Sequence, residues 1–216
     1  KPLLKINGLS IISHVFKKAE NANIGEVIVA AEDKEIVDEV KKDGGQAILT
    51  SKNHKTGTDR IYEAFKKLNR PGVEFIMNLQ GDEPMIDIDD VKRLNNEMLN
   101  TKSELGTLGS IISKKNLYTN ESTVKVITKD PLEISKFTVA LDFRRKISNF
   151  NQNIYHHLGI YCYSSEALKK FVSLEQSHNE VKNRLEQLRA LDNNMNINVA
   201  LAKSSPIGVD TMEDFI

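Results

Sequence analysis

The strongest constraint on the fold is a regular alternation of short apolar segments with amphipathic helices over residues 10–99. Apolar residues recur at helical spacing after Ser10 and Asp33, and both residue types commonly cap helices. The predicted elements of this half are strands at 26–31, 46–50 and 73–79, and helices at 11–19, 34–43, 58–68 and 88–99. Short connections between such elements are typical of βαβ units, so the sequence predicts an α/β fold with helices on both faces of a mostly parallel sheet.

The pattern changes after residue 105, where strands follow one another with little helix between them. The predicted elements here are strands at 105–113, 124–128, 137–141, 158–163 and 197–202, and helices at 165–173 and 180–191. We interpret the middle of this half as a small antiparallel extension of the sheet. Because no repeat or low-complexity linker interrupts the chain, we expect one domain over 1–216, with an inserted antiparallel lobe at about 115–165.

Composition argues against several classes of partner. The chain has 216 residues and carries 30 basic and 30 acidic residues, so it has no global field to attract nucleic acid or an anionic membrane. Its single cysteine, Cys162, rules out an internal disulfide framework and fits a reducing compartment. No apolar stretch approaches the ~20 residues that a membrane helix needs. We therefore expect a cytoplasmic protein with neither nucleic acid nor membrane as a partner.

An acidic turn, Gln80-Gly81-Asp82-Glu83-Pro84, follows the predicted strand at 73–79. In open α/β sheets, ligands bind beyond the carboxyl ends of the strands. Adjacent carboxylates there suit Mg²⁺, which prefers oxygen ligands and is usually shared with substrate phosphates. However, glycine, aspartate and proline are also common in ordinary turns. From this segment alone, a metal site and a structural turn are equally good interpretations.

Asp210 occupies a similar position near the other end of the chain, in Val209-Asp210-Thr211 after a predicted strand. By itself it suits a structural turn, because Thr211 and Asp214 form the pattern of a helix cap. Together with Asp82, it becomes a candidate second metal ligand.

The loop Thr56-Gly57-Thr58 lies between a strand and a helix, and we expect Thr58 to cap that helix. The exposed amides of a first helical turn can bind an anion, although such a loop can also be a capped helix and nothing more.

Two segments in the second half carry polar side chains suited to a ligand. His157, Gly159 and Tyr161 should share one face of a strand, which is also compatible with a half-buried strand at a wet edge. In the predicted helix at 180–191, apolar neighbours direct Glu186 and Gln187 towards the rim, where a merely solvated face is the simplest interpretation.

Taken in order, these segments resemble the motif series of the 3-deoxy-manno-octulosonate cytidylyltransferases, and the resemblance covers essentially the whole chain. The segments that carry it are Lys1-Pro2-Leu3, Thr56-Gly57-Thr58-Asp59-Arg60, Gln80-Gly81-Asp82-Glu83-Pro84, Val124-Lys125-Val126, His157-Leu158-Gly159-Ile160-Tyr161, Leu185-Glu186-Gln187-Leu188-Arg189 and Gly208-Val209-Asp210-Thr211. The acidic turn combined with the segments at 157–161 and 185–189 is specific to this family. The resemblance implies a three-layer, Rossmann-like nucleotidyltransferase fold.

The resemblance also implies a reaction. The family joins CTP to the sugar acid 3-deoxy-D-manno-octulosonate (Kdo), releases pyrophosphate and supplies CMP-Kdo for lipopolysaccharide. It implies Asp82, Asp210 and Lys1 as catalytic residues, with Mg²⁺ on Asp82 and Asp210. The implied nucleotide-binding residues are Lys1, Thr56, Gly57, Thr58, Gln80 and Asp82. The implied Kdo-binding residues are Gln80, His157, Tyr161, Glu186, Gln187 and Lys136. A homodimer built on the antiparallel lobe is implied as well.

Departures from the family pattern keep alternatives open. Only Lys1 matches the family's phosphate loop, so the first strand and the rest of that loop are expected to be missing. The last helical turns are expected to be missing as well, because Asp214-Phe215-Ile216 stops inside a predicted helix. Lys136 follows Ser135 where the family commonly has arginine, and a lysine lacks the planar fork of a guanidinium. A related acid such as 8-amino-Kdo or a sialic-type sugar is therefore an alternative substrate. A truncated paralogue that binds the sugar acid without catalysis is another alternative.

Overall fold

The computed structural model describes residues 2–147 and 153–203. Its strands are β1 (Lys5–Ile6), β2 (Leu9–Ser10), β3 (Val29–Ala31), β4 (Ala47–Leu49), β5 (Phe75–Asn78), β6 (Leu105–Ser110), β7 (Lys125–Thr128), β8 (Phe137–Arg144), β9 (Asn153–Ser164) and β10 (Ile197–Leu201). Its α-helices are α1 (Ile11–Ala22), α2 (Lys34–Lys42), α3 (Gly57–Leu68), α4 (Ile88–Thr101), α5 (Ser165–Ser173), α6 (His178–Asn183) and α7 (Leu188–Asp192), and a 3₁₀ helix spans Lys115–Tyr118.

Contacts along the chain define two compact units. Of the residues that the structure describes, the first unit comprises 2–72 and 78–92, and the second comprises 73–77, 93–147 and 153–203.

In the first unit, α1 and α2 cover a parallel pair of strands, β3 and β4. Helix α1 begins at Ser10, whose Oγ accepts a hydrogen bond from the amide of Ser13 at 3.3 Å, as the sequence predicts. The apolar core of this unit contains Ile12, Phe16, Ala31, Val37, Val40 and Ala47. The predicted strand–helix alternation is therefore present, with a parallel strand pair at its centre.

The second unit is built on a mixed sheet. Among the described strands, the order is β5-β9-β6-β10-β8-β7, and β7 also pairs with β9. Strands β10 and β6 are parallel, whereas β6–β9, β10–β8, β7–β8 and β7–β9 are antiparallel. The α/β class is correct, but the prediction of a mostly parallel sheet is not confirmed. The middle strands pair antiparallel with members of the same sheet, so the antiparallel pairs named here outnumber the parallel pair β10–β6.

Helix α4 packs closely on this sheet at Gly106. A Cβ atom at this position would lie 2.7 Å from the sulfur of Met98 and 2.9 Å from the ring of Phe137. Both distances are too short for a Cβ atom, so glycine leaves room over β6 for the side chains of Met98 from α4 and Phe137 from β8.

One predicted element is wrong: residues 180–191 do not form a single helix. Helix α6 ends at Asn183 and is followed by Arg184, which adopts a left-handed conformation with φ of 53°, and α7 begins only at Leu188. Left-handed conformations are unusual for residues with a β-carbon, and the helical periodicity gives no sign of this break. In addition, β9 begins at Asn153, five residues earlier than predicted.

In the described part of the chain, no helix is both long enough and apolar enough to cross a membrane.

Candidate active site

The acidic turn in the first unit lies directly after β5. The turn is closed by hydrogen bonds from the amide of Glu83 to the Gln80 carbonyl at 3.3 Å and from the amide of Ile86 to the Glu83 carbonyl at 3.2 Å. A Cβ atom at Gly81 would lie 2.8 Å from Cδ1 of Ile12, so glycine lets the turn approach α1. Asp82 is half-buried. The turn thus holds the Asp82 carboxylate on a backbone that is fixed by hydrogen bonds and packed against α1, and part of the Asp82 side chain is open to solvent.

The described residues offer few side chains that could together bind a metal ion. Within residues 2–147 and 153–203, no three His, Cys, Asp or Glu side chains cluster closely enough to hold a metal ion. Lys1 and Asp210, the other predicted catalytic residues, lie outside the described residues. A carboxylate such as that of Asp82 fits Mg²⁺, which is commonly bound by one or two carboxylates together with substrate phosphates.

Thr56, at the end of the loop before α3, caps this helix, so the predicted cap at Thr58 is wrong. The Thr56 hydroxyl accepts a hydrogen bond from the amide of Asp59 at 3.3 Å and donates one to the Asp59 carboxylate at 2.9 Å. Thr58 instead lies buried in the first helical turn. Gly57 is exposed, and a side chain there would meet no atom within 4 Å. The first turn of α3 therefore faces solvent at Gly57, where a nucleotide could approach the backbone.

Charged side chains of α3 anchor the strand-to-helix connection. Glu63 accepts hydrogen bonds from Lys67 Nζ at 2.6 Å and from the Ser51 amide at 2.9 Å, and it also pairs with His54. These partners, Lys67 foremost, lower the pKa of Glu63 to about 2. Arg60 donates to the Thr50 hydroxyl at 2.8 Å. The sequence predicted neither anchor; the i, i+4 spacing of Glu63 and Lys67 was the available signal.

In the second unit, His157 and Tyr161 lie side by side on β9. Their ring centroids are 5.4 Å apart, and the residues are 7% and 8% exposed. The register with β6 shifts between Thr107 and Leu108, where the partner changes from Tyr161 to Leu158. This β-bulge inserts two residues and keeps both rings on one face. The predicted shared face of these two side chains is confirmed, although both are more buried than a wet strand edge would be.

His157 is held in an apolar environment as a neutral ring. Burial is the main cause that lowers its pKa to about 3, and the neighbouring His156 lowers it further. The ring of Phe143 contacts it edge-on, with centroids 5.0 Å apart. The Thr107 hydroxyl lies 3.0 Å from Nε2. A neutral imidazole with one nitrogen occupied can act as a hydrogen-bonding group but carries no charge for an anion.

Glu186 and Gln187 lie in the break between α6 and α7. Leu185 and Leu188 are buried, as predicted. Gln187 is only 6% exposed, so its predicted place at the rim is wrong. Because the helix is interrupted, the backbone turns Gln187 inwards instead of continuing a solvated face. Glu186 is half-buried.

A buried ion pair secures this break. Arg189 Nε and Nη2 donate to the two carboxylate oxygens of Glu180 at 2.9 and 2.7 Å. Arg189 is 2% exposed, and its guanidinium lies 4.6 Å from the centroid of the Phe171 ring. Glu180 also completes a capping box with Ser177 at the start of α6. The pair, which the sequence interpretation missed, was signalled by an arginine in an otherwise buried Leu-Glu-Gln-Leu-Arg segment.

Lys136 lies exposed just before β8. The structure describes Thr56, Gly57, Thr58, Gln80 and Asp82 on the first unit. It describes Lys136, His157, Tyr161, Glu186 and Gln187 on the second. Thr107 was not predicted as part of the site; its signal was a hydroxyl residue in the middle of a strand that otherwise consists of leucine, glycine and a terminal serine.

Comparisons with known proteins all point to the same family. Residues 1–197 match the model of a family described as Cytidylyltransferase. A 3-deoxy-manno-octulosonate cytidylyltransferase of Brucella ovis is 39% identical over 99% of this chain and 86% of its own length. The one from Brucella anthropi is 40% identical with the same coverage.

Solved structures agree. A CMP:2-keto-3-deoxy-manno-octonic acid synthetase complexed with CTP superposes with a TM-score of 0.88 and 34% identity, covering 100% of this chain and 88% of that one. A UDP-glucose pyrophosphorylase, with a TM-score of 0.68 and 12% identity over 100% of this chain and 87% of its own, shares the fold alone. The resemblance seen in the motifs is therefore confirmed: this chain belongs to the cytidylyltransferase family, among the 3-deoxy-manno-octulosonate cytidylyltransferases.

Proposed function

We propose that this protein transfers CMP from CTP to Kdo, releases pyrophosphate and thereby makes CMP-Kdo for lipopolysaccharide biosynthesis. The observation that carries this function is the 39% identity, over 99% of the chain, to a protein named for the same reaction. A structural match at a TM-score of 0.88 to a CTP complex supports it.

The reaction needs no covalent intermediate with the protein. The anomeric hydroxyl of Kdo attacks the α-phosphorus of CTP, and pyrophosphate leaves. Transfers at phosphorus are accelerated mainly by positioning the reactants and by stabilising negative charge. The chain's contribution is therefore to bind two anions in a reactive orientation.

We assign the nucleotide to groups of the first unit. Gln80 and the exposed start of α3, with Thr56, Gly57 and Thr58, would contact the cytidine. Lys1 would contact the phosphates. A loop whose backbone is fixed by the Thr56 cap offers amide groups without the entropic cost of ordering a flexible segment.

We assign a divalent metal, Mg²⁺, to Asp82 together with Asp210. When bound, Mg²⁺ would supply charge neutralisation at the phosphates and polarise the α-phosphorus. The partly open position of Asp82 on a supported turn suits an ion that arrives with a nucleotide.

We assign the sugar acid to His157, Tyr161, Glu186 and Gln187, with Gln80 and Lys136 as further contacts. His157, Tyr161 and Gln187 are buried in the second unit. Groups already desolvated and held in place lose little entropy when a sugar binds.

A homodimer and a cytoplasmic location complete the proposal. Large apolar side chains are exposed at Ile111, Ile134 and Leu141, in or beside the predicted antiparallel lobe, where a second copy could cover them. Sedimentation equilibrium, repeated with Leu141→Asp, tests the dimer. Fractionation of the cells that make the protein tests its location.

The function is tested by pyrophosphate release with CTP and a panel of sugar acids. We expect turnover with Kdo to exceed turnover with 8-amino-Kdo and with sialic acid. A clear preference for another acid would transfer the assignment to that acid. Calorimetric binding of Kdo without turnover of any acid would identify a non-catalytic paralogue instead.

A further inference from the structure

The Thr107 hydroxyl occupies an unusual position beside the proposed sugar site. It lies 3.0 Å from Nε2 of His157, 2.7 Å from the Ile160 carbonyl oxygen and 3.2 Å from the Leu158 carbonyl oxygen. Thr107 is fully buried at the bulge between β6 and β9. Three partners therefore surround one hydroxyl group.

The proton inventory of this cluster has one consistent solution. A hydroxyl has one hydrogen to donate, and carbonyl oxygens can only accept. If Thr107 donated to Nε2, its oxygen would face the Ile160 carbonyl at 2.7 Å with no hydrogen between them. Donation towards the carbonyls leaves only lone pairs for His157. Nε2 must then carry a hydrogen and donate it to Thr107.

The other ring nitrogen follows from this assignment. Burial keeps His157 neutral, with its pKa lowered to about 3, so the ring carries a single hydrogen. Since that hydrogen is on Nε2, Nδ1 has a lone pair and accepts hydrogen bonds. The hydrogen bond that this ring makes to the described residues is at Nε2, which leaves Nδ1 for a ligand.

We propose that Thr107 is a positioning residue that holds His157 in the Nε2–H tautomer, so that Nδ1 accepts a hydrogen bond from a hydroxyl of the sugar acid. This rests on the proposed sugar-binding role of His157. It specifies the group recognised: a neutral acceptor selects a hydroxyl donor and disfavours the substrate's carboxylate, whose lone pairs would face that of Nδ1.

The tautomer is measured directly by long-range ¹H–¹⁵N NMR of the ¹⁵N-histidine-labelled protein without ligand, with the His157 signals assigned by their loss in His157→Asn. We expect a pyrrole-type Nε2 and a pyridine-type Nδ1 at about pH 7. A pyrrole-type Nδ1, or a protonated ring, would overturn the inference. This readout needs no turnover, so absence of activity with Kdo would count against the proposed function alone.

Matched variants test the role of Thr107. Thr107→Val keeps the shape but removes the hydroxyl, and Thr107→Ser keeps the hydroxyl. We expect Thr107→Val to give a mixture of tautomers and to raise KM for the sugar acid roughly tenfold, the fold-change of about one hydrogen bond, with a smaller effect on kcat. Thr107→Ser should retain the wild-type tautomer and KM.

Thr138→Val is the control, because this buried threonine of the same sheet bonds Asp130 and not His157. It should leave the His157 signals unchanged. Unchanged signals and KM in Thr107→Val would overturn the positioning role.

A second pair of variants separates the two ring nitrogens. Asparagine places its amide near the position of Nδ1, whereas glutamine reaches the position of Nε2. We expect His157→Asn to retain more sugar affinity than His157→Gln, by roughly fivefold in KM, because only asparagine keeps an acceptor facing the sugar. The reverse order would contradict the assignment. If another sugar acid proves to be the substrate, the same comparison is made with that acid.

Discussion

The two units of this enzyme present their polar groups in different ways. In the first unit, the candidate ligands Gly57, at the start of α3, and Asp82, on a turn, have part of their surface in solvent, and ion pairs such as Arg70–Glu26 are exposed. In the second unit, His157 and Gln187 are buried and the Glu180–Arg189 pair has almost no exposed surface. Solvated groups can accept a charged nucleotide and its metal with little reorganisation. Buried groups instead fix the shape and hydrogen-bonding pattern that a sugar must match.

The largest effect is expected from breaking the buried pair. Arg189→Met would leave Glu180 as an uncompensated buried charge and should lower the free energy of unfolding by about 3–5 kcal/mol. Urea denaturation measures this change. The control, Arg70→Met, removes an exposed partner of Glu26 and should cost no more than about 1 kcal/mol.

A double variant tests whether the unpaired charge of Glu180 causes this loss of stability. Adding Glu180→Gln to Arg189→Met should recover part of the lost stability, because the remaining side chain is neutral. Equal losses in Arg189→Met and Arg70→Met would mean that burial does not distinguish the two units.

The next largest effect concerns the acidic turn. Asp82→Asn keeps the shape of the side chain but removes its charge, and it should lower kcat by roughly 10²–10³, as the loss of one electrostatic stabiliser does elsewhere. Stability should change little, because Asp82 is half-buried on a turn. Pyrophosphate release under saturating CTP and Mg²⁺ measures kcat. Asp89→Asn, the same change on an exposed residue of α4, should retain full activity.

Acid should weaken the second unit at a milder pH than the first. The pKa of His157 is lowered from 6.5 to about 3, so below about pH 6.5 the unfolded chain binds a proton that the folded one does not. Stability should fall by roughly 2 kcal/mol between about pH 6.5 and 5 from this group. Glu63, with its pKa lowered from 4.5 to about 2, contributes stability that declines only below about pH 4.5 and is lost as the pH falls to about 2.

Urea denaturation across this pH range separates the two groups. His157→Asn should flatten the decline above about pH 5, while Glu63→Gln should leave it unchanged. His156, whose pKa is also lowered by burial and by Lys125, contributes to the same decline and limits how flat the curve becomes. An unchanged slope in His157→Asn would show that this ring is not held neutral by burial.

The smallest effect is expected at the helix cap of the first unit. Thr56→Ala removes the side-chain partner of the Asp59 amide and should cost about 1 kcal/mol of stability. If the start of α3 contacts the nucleotide, KM for CTP should rise while KM for the sugar acid stays the same. Thr56→Ser keeps the hydroxyl, so its stability and its KM for CTP should match those of the wild type. A change in KM for the sugar acid alone would argue against the assignment of the nucleotide to the first unit.

Local chemistry explains what could be predicted. The side-chain cap at Ser10, the start of α2 after Asp33, the parallel pair β3–β4 and the shared face of His157 and Tyr161 all follow from periodicity and residue type over a few positions. Asp82 is predicted as a metal ligand because its turn belongs to an ordered series of family motifs, and this role stays a prediction. The cap of α3 was misplaced because Thr56 and Thr58 both suit that role, and only the start of the helix distinguishes them.

The sequence by itself determined the α/β class, the family and the side chains available for chemistry, because these depend on residue type and local order. The tertiary structure decided which of them are buried and what they contact. Thr107 meets His157 across 50 positions of sequence only because β6 and β9 pair around a bulge. Arg184 ends α6 in a left-handed conformation and the Glu180–Arg189 pair closes the break, which turns Gln187 inwards. Such contacts arise from strand register and packing between distant segments, which no local pattern specifies.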